Sequence, residues 1–242
     1  MSGEHIVSAG LFLSENITVK GFDWCREEPK SIGLSRLTKK ILCDKHNSAL
    51  AQVDEAGIKT FDAFRQSTRL QNVRSGMKAR RWRVSRFKVD GTQLERWFLK
   101  TLINVAAGSS HQIGPEAQHA GEPSTGLIEI VFGEKRFQPR AGLYVVGDQG
   151  ETVYSQDQVQ IIPFFGDQNY LAGATFYFRG FRFVLYLGEE GLMRRINFVL
   201  KDGKTVEHSN PLYHPESLNY FVHGFLSHVI GLRWPHPPLS RR

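Results

Sequence analysis

Ile41-Leu42-Cys43-Asp44-Lys45-His46-Asn47-Ser48 is a short apolar run that ends in two soft-metal ligands three residues apart, followed at once by an amide side chain. Thiolate and imidazole at Cys-x-x-His spacing are donors that zinc takes. Nowhere else in the chain do ligand types crowd together at such spacing. From Ser48 the apolar residues Leu50, Val53, Ile58, Phe61 and Phe64 recur at threes to fives, which predicts a helix to about Arg69 despite Gly57. Each residue of the stretch also has a plainer reading. Cys43 and His46 could be an inert thiol and a capping imidazole, and Asn47 could serve as the N-cap of the following helix.

Upstream, Glu4-His5-Ile6-Val7 opens a short extended piece over residues 4–13, and polar loops follow to Lys20 and around Pro29, Ser31 and Gly33. Downstream, Lys78 to Lys88 holds six cations in eleven residues, interleaved with Trp82, Val84 and Phe87. That alternation predicts a strand with one basic face. Arg80, Arg81, Arg83, Arg86 and Lys88 suit phosphate contact and Trp82 suits stacking on an unpaired base, with a solvated sheet face as the alternative. Val89-Asp90-Gly91 reads as a turn. Leu94, Trp97, Phe98, Leu102 and Val105 then form a helical stripe of the core-facing kind.

After a loop over residues 109–125 the chain changes character. Apolar, β-branched and aromatic runs at Leu127–Phe132, Leu143–Val146, Thr152–Tyr154, Val159–Phe165, Thr175–Leu187, Ile196–Leu200 and Thr205–His208 predict an antiparallel sheet. Lys201-Asp202-Gly203-Lys204 is a hairpin signal. Leu218–Ile230 reads as a closing amphipathic helix, followed by a loose tail. Neither a phosphate-cradling glycine loop nor a nucleophile elbow occurs in this half.

Of the 31 Lys/Arg and 24 Asp/Glu, residues 1–100 hold 19 and 11, leaving 12 and 13 for the rest, so the formal charge of +7 belongs to the first hundred residues. Such asymmetry points to an anionic partner, nucleic acid above all, and DNA ahead of RNA. Two cysteines, Cys25 and Cys43, are too few for a disulfide framework. The start carries no basic and apolar leader, and the most apolar stretch, Ala172–Leu187, is broken by Arg179 and Arg182. The expectation is a cytoplasmic protein without a membrane partner.

Glu4-His5-Ile6-Val7 resembles the Asp/Glu-His-Ile-Val opening of HNH (His-Me finger) nucleases. Leu42-Cys43-Asp44-Lys45-His46-Asn47 resembles their later Leu-Cys-x-x-Cys/His-Asn element, notably in the treble-clef, phage Holliday-junction-resolving endonucleases. The resemblance spans about residues 4–55 and lacks the upstream Cys-x-x-Cys knuckle. It implies a catalytic site of His5, Glu4 and Asn47, with His5 as general base and Glu4 and Asn47 holding a divalent metal such as Mg2+. It also implies Cys43 and His46 as half of a structural zinc site, to which Cys25 could add a third ligand.

The expected class is α+β. A metal finger would occupy residues 1–70, a basic strand and amphipathic helix residues 71–108, and a β-rich region with a C-terminal helix and tail residues 109–242. The expected function is metal-dependent hydrolysis of nucleic acid. The rivals are an inactive nucleic-acid-binding finger and a protein that binds a ligand or partner through its β-rich region.

Overall fold

The computed structural model describes residues 2–12, 14–21, 25, 27–77, 85–138, 141–146, 158–167, 169–178, 181–188, 212–213, 221–222 and 228–233. Helices and strands mix in an α+β fold. In chain order these are β1 (Ser2–His5), β2 (Asn16–Lys20), β3 (Lys30–Gly33), β4 (Thr38–Leu42), α1 (Asp44–Ala49), α2 (Ala51–Ser75), β5 (Ser85–Asp90), α3 (Gly91–Ala106) and α4 (Thr125–Phe132). There follow β6 (Gly142–Val146), β7 (Gln158–Phe165), β8 (Leu171–Phe178), β9 (Phe181–Tyr186), β10 (Leu212–Tyr213), β11 (Phe221–Val222) and β12 (His228–Arg233).

A seven-stranded sheet runs β10-β6-β9-β8-β7-β2-β3, antiparallel except where β2 lies parallel to β7. Strands β1 and β4 form an antiparallel pair, while β11, antiparallel, and β5, parallel, flank β12. The antiparallel sheet expected of the second half is therefore mixed, because two strands of the first hundred residues pair into it and beside it. The segments expected at 1–70, 71–108 and 109–242 share one hydrophobic cluster that extends from Ile6 to Leu187.

That cluster is built on aromatic rings. Phe61 of α2 meets Trp97 and Phe98 of α3 edge-on, with centroids 5.6 and 6.4 Å away, and Phe178 and Phe183 of the sheet at 5.7 and 6.2 Å. Phe98 in turn contacts Phe176 at 5.0 Å and Phe183 at 4.8 Å. Edge-to-face pairs add about 0.5–1.5 kcal/mol each beyond the area they bury. The stripe read from Leu94 to Leu102 is thus the seam between α3 and the sheet. Gly57 explains itself here: a Cβ at that position would lie 2.7 Å from the Trp97 indole, so its absence lets α2 approach α3.

Several elements depart from the sequence reading. The helical turn starts at Asp44, not Ser48, and after a break at Leu50 the next helix continues to Ser75. Asn47 lies inside α1, where its N–H donates to the Cys43 carbonyl, so the N-cap position falls to Cys43. Leu127–Phe132 is helical, because Leu127, Ile130 and Val131 bury one face at helical spacing. Gly133, at φ 84°, ends α4: its N–H donates to Ile130, and that of Glu134 to Glu129. An apolar run of six does not separate helix from strand by periodicity. Thr175–Leu187 is two strands of a hairpin, and Leu218–Ile230, expected to be helical, contributes β11 and the start of β12. Asp90 both ends β5 and caps α3, its side chain accepting from the Gln93 N–H at 3.1 Å. The expected strands at 152–154, 196–200 and 205–208, the 201–204 hairpin and the tail lie outside the described residues.

Candidate functional site

Strand β1 brings the first expected residues into register with β4: Glu4 pairs with Lys39 and His5 with Thr38. Four residues beyond Thr38 the strand ends at Leu42, and Cys43 turns the chain directly into α1, which packs against both β1 and β4. A strand carrying His5, its antiparallel neighbour and a helix carrying Asn47 therefore form one unit, although two further strands interrupt it in sequence. The two interrupting strands, β2 and β3, leave this unit for the edge of the large sheet.

His5 is held from behind. Asn104 of α3 donates from Nδ2 to the His5 carbonyl at 3.4 Å, and the buried His5 Nδ1 has no hydrogen-bond partner. Buried polar atoms are ordinarily satisfied, so an orphan ring nitrogen beside a carboxylate-bearing strand is a position at which water, substrate or an ion would complete the bonding. Lys39 fastens β4 to α3: its ammonium donates to the carbonyls of Val105 and Ala107 at 3.0 and 3.1 Å, where the negative end of the α3 dipole lies.

The Cys43 Sγ and His46 Nδ1 are 3.2 Å apart on an exposed surface, and the His46 ring meets Phe132 edge-on at 5.5 Å. Two such donors on one tetrahedral zinc would be separated by about 3.6 Å, so the pair fits half of a zinc site. Cys25 is buried, 4% exposed, whereas Cys43 is exposed, and both are free thiols. Among the described residues no three His, Cys, Asp or Glu side chains gather closely enough to hold a metal.

On the nucleic-acid side, β5 alternates as its sequence requires. Arg86 and Lys88 are exposed, while Phe87 and Val89 turn inward to the core. Helix α2 packs beside this strand, and Arg74 donates to the Ser85 hydroxyl at 3.1 Å. Arg80, Arg81, Trp82 and Arg83 lie outside the described residues.

Three features near this unit were not anticipated. The first is a cleft of about 540 Å³ between Leu42 and His46 on one side and Ile103, Asn104 and Phe132 on the other, with Lys100 and Glu122 also on its wall. The second is a polar network beneath it. Lys100, its side chain 4% exposed, reaches Asp54 at 2.6 Å; the Ser8 hydroxyl donates to the same carboxylate at 2.7 Å and accepts from the Trp97 indole at 2.8 Å. The third is Glu95, whose Oε1 accepts from the Leu143 N–H of β6 at 2.8 Å, and whose carboxyl burial pushes up to about 7. A signal for two of them existed: Lys100 and Asn104 fall three and seven residues after Trp97, on the core-facing side of the stripe, where a polar residue must find a partner.

Fold and site together define an α+β protein with a strand–strand–helix unit beside an apolar cleft. Compared with known proteins, the chain matches no family, no curated protein and no solved structure. No helix among the described residues is long and apolar enough to cross a membrane.

Proposed function

We propose that the protein is a metal-dependent endonuclease that hydrolyses phosphodiester bonds in nucleic acid, with His5 as general base and Glu4 and Asn47 as ligands of a divalent cation. The observation that supports this reading is the β1–β4–α1 unit, in which α1 packs on the strand that bears His5. Imidazole is the natural base near neutral pH, and carboxylate and amide oxygens suit a hard cation. When bound, such an ion neutralises charge on the phosphate and on the leaving oxygen. His5 takes the proton of the attacking water, and the Asn104 hydrogen bond to its carbonyl fixes the backbone from which the imidazole acts. Arg86 and Lys88 carry the backbone phosphates beyond the cut.

A second reading, a nucleic-acid-binding finger without activity, draws on the gathering of only two soft ligands, Cys43 and His46, among the described residues. One experiment separates the two. Plasmid and single-stranded DNA are incubated with Mg2+ or Mn2+ and either the wild type or His5→Ala. The nuclease reading expects metal-dependent cutting that the substitution slows by roughly a hundredfold or more. Cutting at the wild-type rate by His5→Ala would remove the base assignment. Salt-sensitive binding with no cutting under either metal would favour the inactive finger.

A further inference from the structure

The cleft between β4–α1 and α3–α4 has the size of a small-ligand pocket and mostly apolar walls, supplied by residues such as Leu42, Ile103 and Phe132. Its polar side chains are unevenly supplied with partners. The Lys100 ammonium is taken up by Asp54. Asn104 is 2% exposed and spends Nδ2 on the His5 carbonyl; that donor role fixes the amide orientation, since Oδ1 facing the same carbonyl would repel it. Its Oδ1 makes no hydrogen bond among the described residues and stands at the cleft. The Glu122 carboxylate, also on the wall, makes none either among the described residues. The groups left to meet a ligand are thus acceptors, set between apolar surfaces and the edge of the Phe132 ring. Lys40 and Lys45 are exposed and adjoin the wall residues Ile41 and His46, placing positive charge at the rim.

We propose that this cleft takes one unpaired, amino-bearing nucleobase, adenine, cytosine or guanine in preference to thymine or uracil, with the flanking phosphates on Lys40 and Lys45. This rests on the nucleic-acid reading above. Flat π faces match the apolar walls, exocyclic amines donate to Asn104 Oδ1 and the Glu122 carboxylate, and the rim lysines match the phosphates. Because Asn104 also holds the His5 carbonyl, a base seated here lies next to the strand that carries the proposed general base.

The test measures binding by fluorescence anisotropy in EDTA, using an abasic strand of about twelve nucleotides that carries one central cytosine, adenine, thymine or no base. Cytosine or adenine is expected to tighten binding roughly tenfold over the fully abasic strand, and thymine by less. Ala107→Trp, which fills the cleft, should erase that gain and leave abasic affinity unchanged. Glu122→Gln should narrow the difference between cytosine and thymine. Should Ala107→Trp fail to fold by thermal melting, Ile128→Trp replaces it, since Ile128 lines the same cleft and is 42% exposed. Equal affinity of the wild type for base-bearing and abasic strands overturns the proposal, as does a base gain that survives in a folded filling variant. The nuclease reading fails separately. Base-dependent binding without any cutting leaves the cleft assignment standing, and His5-dependent cutting with base-independent binding does the reverse.

Discussion

Glu95→Gln should make the protein more resistant to alkaline pH. Glu95 sits part-buried between α3 and β6, and its carboxyl is pushed from 4.5 to about 7 by burial, against the opposing effect of the Leu143 hydrogen bond. The folded state therefore prefers the protonated acid more than the unfolded chain does. The sign follows: the stabilisation is fully present below about pH 4.5 and is lost as pH rises through 7. At 1.36 kcal/mol per pH unit the whole effect is at most roughly 3 kcal/mol, and about 2–3 kcal/mol of it falls between pH 5 and 8. Glutamine keeps an acceptor for the Leu143 N–H but cannot ionise. Urea unfolding of wild type and variant at unit pH steps isolates this one titration from all others by difference. The variant should match the wild type near pH 5 and exceed it by about 2 kcal/mol or more at pH 8. A difference that stays flat across this range would falsify the reasoning.

Two further predictions concern packing and charge. Gly57→Ala drives a methyl to within 2.7 Å of the Trp97 ring and should cost about 1–3 kcal/mol, read as a lowered melting temperature; an unchanged Tm would show that the α2–α3 crossing is looser than described. Asp54→Asn strands the Lys100 ammonium, 4% exposed, and should cost about 3–5 kcal/mol in urea unfolding. Adding Lys100→Met to it should restore much of that loss, because the uncompensated charge goes with it; a double variant no more stable than Asp54→Asn would count against this account.

Much of the fold was legible because its signals are local. The Leu94–Leu102 stripe, the Asp90 cap and the alternation of β5 repeat within a few residues, as the 3.6 and 2 periods require. The helix at Thr125–Phe132 was missed because six apolar residues fit either period, and the deciding features were Ser124 and Gly133 at its ends. For the site, Cys43 and His46 were readable as neighbours since residues three apart meet on one helix face. The cleft and the Lys100 network were not. Their polar residues are visible on the stripe, but Asp54 lies 46 residues from Lys100, Ser8 lies 89 from Trp97 and His5 lies 99 from Asn104. No short-range pattern specifies which partner a buried ammonium or amide will find.

The parallel pairings have a consequence for the order in which the chain acquires structure. Val19 of β2 neighbours Val159 of β7, and Ser85 of β5 neighbours His228 of β12, so each pair closes a loop of roughly 140 residues. At typical synthesis rates β2 waits on the order of ten seconds on the ribosome before its partner strand emerges. During that interval the hairpin inserted between β1 and β4 has an open edge, and pairings so distant in sequence are slow to form. A fragment ending at residue 70 would keep β1, β4 and α1 but leave β2 permanently without its neighbour. The strand–strand–helix unit is therefore laid down early in synthesis and completed late.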